Sequence, residues 1–112
     1  MKRDRDLLRD LLLELEKAPE GFVIHFISSG STSDDLRRDH HFDLLMDAGL
    51  VTKKGESTIR LTPLGHDAVE AIGKSETWLQ LKAKAPSEAY EMIKGIGGAL
   101  VTSALSRLMG WN

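Results

Sequence analysis

Two short stretches place basic side chains where they could meet phosphates. Arg37, Arg38 and His41 lie close together ahead of an apolar helical pattern, and Lys53, Lys54 and Arg60 flank a turn containing Gly55. Guanidinium and ammonium groups hold phosphate oxygens by charge-assisted hydrogen bonds, so this set describes contact with the backbone of double-stranded DNA. The surrounding charge opposes that reading. From Asp34 to Ala48 there are five aspartates and two arginines, a local balance of −3. Asp39, Asp43 and Asp47 are spaced four apart, so on a helix they form one ridge, separate from Arg37 and His41. Two readings follow. One is a small DNA-binding regulator touching phosphates through those six residues. The other is a non-catalytic protein-interaction module built on the same scaffold.

Other chemistries have less to stand on. His40 and His41 are neighbours, so on a helix they diverge by about 100° and do not converge on one ion. No His-x-x-x-His pair occurs, and no metal site is expected. The pattern predicts His40 against the core, His41 on the surface and His66 in a local bond. Ser28, Ser29, Ser31 and Ser33 offer hydroxyls, yet nothing supplies a triad order or an oxyanion turn. Ser29-Gly30-Ser31 also lacks the lysine of a phosphate-binding loop. No catalytic residue, cofactor or small-molecule ligand is expected. The absence of cysteine removes disulfides and thiolate chemistry and favours a reducing, cytoplasmic setting. Fifteen basic against seventeen acidic residues give a net charge of −2, which excludes a strongly basic nucleic-acid coat. Trp78 reads as a core anchor and Trp111 as packing against a helix or a subunit.

The elements that would position these residues follow from periodicity. Leu7, Leu8, Leu11, Leu12 and Leu15 mark an amphipathic helix from Arg3 to Lys17, stopped at Pro19 and Gly21. Phe22 to Ile27 is a run of β-formers and predicts a strand. Thr32 caps a second helix whose apolar face reads Leu36, His40, Leu44, Leu45 and Ala48, ending at Gly49. Leu50–Thr52 and Ile59–Thr62 enclose a basic tip and predict a hairpin. Thr62-Pro63 starts a third helix, and Ser75 is expected to cap a short fourth. From Ala85-Pro86 to Trp111 one long helix is predicted, about 36 Å over some 24 residues. Its stripe of Ile93, Ile96, Leu100, Val101, Ala104, Leu105 and Leu108 asks for a partner, and Gly95, Ala99 and Ser103 form a seam of small residues. The expectation is a homodimer through this helix. Lys94, Thr102, Ser103, Ser106 and Arg107 interrupt it, so no membrane span is predicted.

The order helix, strand, helix, hairpin, helix describes an α+β, winged-helix-like domain over residues 1–73, with a helical extension over 74–112. Only one helix fits between the first strand and the hairpin, where a standard winged helix has two. The chain also resembles the bacterial and phage domain-of-unknown-function family numbered 2513. The resemblance rests on Met1-Lys2-Arg3-Asp4-x-Asp6-Leu7-Leu8-Arg9, on His41-x-x-Leu44-Leu45-x-x-Ala48-Gly49-Leu50-Val51, on Leu61-Thr62-x-x-Gly65-His66-Asp67 and on Thr77-Trp78. It implies a winged-helix-like fold and frequent prophage context, and it implies no activity. Phe42 stands where that family usually has a smaller aliphatic residue, and Arg38 where an apolar one is expected.

Overall fold

Leu8, Leu11, Leu12 and Leu15 recur at helical spacing, and all four are buried in the computed structural model, which describes residues 1–111. They lie on helix α1 (Arg5–Lys17), capped by the Asp4 carboxylate, which accepts from the Leu7 N–H at 3.1 Å. Each buried leucine contributes about 1.5–3 kcal/mol, so this stripe alone makes α1 a central element. It packs against α2 (Ser33–Asp47), α3 (Pro63–Ile72) and the middle strand β3 (Thr58–Leu61). The remaining elements are β1 (Val23–Ile24), β2 (Val51–Gly55), α4 (Ser75–Ala83) and α5 (Pro86–Met109).

The architecture is α+β: the described residues form five helices and a three-stranded antiparallel sheet in the order β1-β3-β2. The hairpin β2–β3 pairs Val51 with Leu61 and Lys53 with Ile59, with a bulge between Lys53 and Gly55. Helix α3 begins as its sequence dictates. Thr62 accepts from the Gly65 N–H at 3.0 Å, and Pro63 occupies the first turn. Gly65 is required by crowding, since a Cβ there would lie 2.0 Å from the Leu50 carbonyl oxygen.

Three expectations are corrected. The first strand is only Val23–Ile24, which pair with Ile59 and Thr58, and the His25 N–H adds a single bond to the Ser57 carbonyl in the turn before β3. Ser75 does not cap α4; Lys74 holds that position without a side-chain bond. The long last helix is broken at Gly98, whose φ of 78° and ψ of −177° are open in practice only to glycine. The break turns the final segment back on the domain. Val101, Ala104, Leu105, Leu108 and Met109 are thereby buried in the same cluster as α1 and α3. Ile96 and Leu100 stay outside, and the Gly95–Ala99–Ser103 seam faces solvent. The close approach falls at Gly97 instead, where an added Cβ would meet Val101 at 2.8 Å and Ala71 at 3.4 Å.

Helices α3 and α5 share the largest helical interface, and α4 is tied to α1 by Asp6, which accepts from Trp78 Nε1 at 2.8 Å and Lys82 Nζ at 2.9 Å. Trp78 is buried, as expected of an anchor, and Trp111 packs half-buried against the core. No helix among the described residues is long and apolar enough to cross a membrane.

Candidate functional site

Helix α2 starts in a reciprocal capping box. The Thr32 hydroxyl accepts from the Asp35 N–H and the Asp35 carboxylate accepts from the Thr32 N–H, both at 3.1 Å. These bonds, together with nearby positive charge, hold the Asp35 carboxyl below its ordinary pKa. The buried face of α2 keeps Leu45 and Ala48 of the predicted set, with Leu44 half-buried against the core, and adds His41 and Phe42. Leu36 is exposed and His40 half-buried, so the expected roles of the paired histidines are reversed.

His41 is fully buried and bonded at both ring nitrogens. Nε2 accepts from the Asp4 N–H at 2.9 Å, and Nδ1 lies 2.7 Å from the Arg37 carbonyl oxygen. A backbone N–H can only donate and a carbonyl can only accept, so the ring is the neutral Nδ1–H tautomer. His41 therefore joins α1 to α2 and does not reach phosphate. Arg37 is paired with the Asp4 carboxylate. Arg38 meets Glu14 at 2.5 Å and lies over the Phe42 ring at 5.0 Å. Arg38 and Phe42 thus touch each other, and the aromatic ring carries the guanidinium. On the other side of Phe42 is the His25 ring, 5.2 Å away, whose Nε2 is 3.4 Å from Asp39 and lacks a hydrogen-bond partner.

The outward face of α2 is left with Leu36, Asp39, His40, Asp43 and Asp47. Its two arginines are consumed by acids of α1. Lys53, Lys54 and Arg60 are exposed on the hairpin, with Lys54 Nζ 4.6 Å from the Phe22 ring and Arg60 donating to the Leu61 carbonyl at 3.1 Å. The six predicted contact residues therefore split by element: three serve the joint between α1 and α2, and three are exposed on the hairpin.

Two features escaped the sequence reading. An open cleft of about 700 Å³ brings Lys2, Arg3 and Arg5 beside Asp4, Asp6, Arg37 and Lys82. Its two carboxylates are each held below their ordinary pKa, Asp4 first by the Leu7 N–H and then by Arg37, and Asp6 by Trp78 and Lys82. Residues 2–6 alternate in sign along the sequence, and the fold brings Arg37 and Lys82 to them. The second feature is the edge of β1, where Ile24 is 69% and Phe26 64% exposed beside an apolar groove of about 670 Å³. The groove is lined by Pro19, Phe22, Val23 and Ile24, with Lys17 and Glu20 at its rim.

The family model described as "Hypothetical protein (DUF2513)" matches residues 2–91, from the start of α1 into the first part of α5. The chain belongs to the DUF2513 family. An "Uncharacterized protein" of Haemophilus influenzae is 28% identical over 120 aligned positions, covering 95% of this chain and 100% of that protein. No solved structure matches this chain. The DUF2513 match spans the hairpin, α2 and the Asp4–Arg37–His41 joint, and it stops before Gly98. Among the described residues of this DUF2513 protein, no cluster of three or more histidines, aspartates or glutamates could hold a metal ion.

Proposed function

We propose that this protein is a non-catalytic protein-interaction module in which the winged-helix-like core is a scaffold and the exposed ridge of α2 meets a basic partner. One observation carries this reading: His41 is buried and Arg37 and Arg38 are paired at the surface with Asp4 and Glu14, while Asp43 and Asp47 face solvent with Asp39 half-exposed beside them. A helix presented to a polyanion in that state would repel it. A cationic protein surface would be attracted, and Leu36 and His40 add apolar area to the same face.

A second reading keeps DNA as partner, through the hairpin alone. It is favoured by the exposed Lys53, Lys54 and Arg60 side chains, none of which is paired with a carboxylate among the described residues. Anisotropy of a labelled mixed-sequence duplex, titrated at several salt concentrations, separates the two. The interaction-module reading expects no binding at low salt, and equal behaviour of the Lys53→Glu/Lys54→Glu variant. Salt-sensitive binding that this variant loses would overturn it in favour of the hairpin, at a slope of about −0.9 per phosphate contact. A photo-crosslinker placed at position 43 in cells should capture a protein that a crosslinker at Glu91 does not, and Asp39→Asn/Asp47→Asn should abolish the capture.

A further inference from the structure

We propose that the free edge of β1 is a homodimerisation strand, on which a second copy of this chain adds its own residues 22–27 antiparallel, about a twofold axis at Ile24. This goes beyond the α2 reading and uses a different surface.

The backbone already faces the right way. Val23 pairs with Ile59 and the His25 N–H donates to the Ser57 carbonyl at 2.7 Å, so residues 23 and 25 bond inward, to β3 and to the residue that precedes it. Alternation then turns the N–H and C=O of Ile24 to the open side. An antiparallel twofold through Ile24 makes that residue and its copy exchange two hydrogen bonds. The same register sets Phe22 opposite the partner's Phe26, and Phe26 opposite the partner's Phe22. All three side chains alternate onto one face, where Ile24 and Phe26 are mostly exposed. Aromatic and β-branched cross-strand pairs are among the favourable ones.

Lys54 lies 4.6 Å from the Phe22 ring, while His25 turns to the other face, toward Phe42 and Asp39 of α2. A second copy fits this edge because the segment complements itself in pattern, Ile24 against Ile24 and Phe22 against Phe26. The other sheet edge is guarded. β2 carries Lys53, Lys54 and a bulge, the usual devices against strand addition, and residues 22–27 have neither lysine nor proline. Pairing through β1 therefore closes at two copies, in a six-stranded sheet.

Sedimentation velocity of the full chain, from low to several hundred micromolar, tests this. The expected result is a monomer–dimer equilibrium. Ile24→Pro removes the outward N–H while sparing the inward bonds of residues 23 and 25, and should weaken the dimer at least about tenfold. Phe26→Lys, outside the β1–β3 ladder, should do the same with an unchanged melting temperature, and Leu100→Lys on α5 should leave the dimer intact. A monomer at every concentration would overturn the proposal. So would a dimer that survives both β1 variants or is lost in Leu100→Lys, which would place the interface on α5. Neither result depends on the DNA or crosslinking outcome.

Discussion

A single buried imidazole decides how much of this surface is available for chemistry. His41 joins two helices by accepting from the Asp4 N–H and donating to the Arg37 carbonyl. His41→Phe keeps a buried ring, slightly larger, but leaves that N–H unpaired, and should cost at least about 1–3 kcal/mol in urea unfolding. A surface histidine would show no such loss. Asp4 beside it gives the fold an acid limit. Its folded pKa is depressed below 3.8, so the stabilisation it provides is fully present above that value and is lost as pH falls through the folded pKa. Asp4→Asn retains a capping oxygen and removes the charge. Its denaturation midpoint should therefore fall less than that of the parent chain between about pH 5 and 2, with Asp6 and Asp35 supplying the rest of the slope. The sequence offered no way to choose between His40 and His41. Leu36 and Leu44 pulled the predicted stripe one position off, and the partner of His41 is a backbone group 37 residues earlier in the chain.

The elements were more legible than their faces. Thr32, Gly49, Thr62 with Pro63 and the Leu8–Leu15 stripe announce helix ends and burial through local chemistry, and each sits where it was expected. Strand β1 and helix α5 were misjudged for a shared reason. How far a strand pairs and whether a helix bends depend on what lies opposite, and that is not local information. The glycines of α5 expose this most directly. Gly95 has open space around it and a helical backbone, so Gly95→Ala should stabilise by about 0.5–1 kcal/mol. Gly98 also has open space, but its φ of 78° should make Gly98→Ala cost about 1–3 kcal/mol. Thermal melts of the two variants should shift in opposite directions, although the substitutions are chemically identical and three residues apart.

For the whole molecule the relevant fact is a single core shared across the chain. Ala68, Ala71 and Ile72 of α3 lie in one cluster with Val101, Leu105 and Leu108 of α5. A chain ending at Gly97 loses five buried apolar side chains, Val101, Ala104, Leu105, Leu108 and Met109, worth on the order of 10 kcal/mol together. That is comparable to the entire stability of a small domain, so the truncated chain should lack a cooperative melt and bind hydrophobic dye. The apolar stripe that suggested a partner for the last helix is thus largely satisfied at home, while the six-residue run read as an ordinary strand leaves Ile24, Phe26 and Ile27 exposed. The Arg5 guanidinium, finally, donates to the Met109 carbonyl at 2.8 Å, across 104 positions of sequence. The beginning and the end of the fold meet there, so the order in which its elements are strung is nearly closed into a ring. A gene rearranged to join those ends by a short linker and to open at the exposed Ser29–Gly30 loop would encode the same packing from a different first codon.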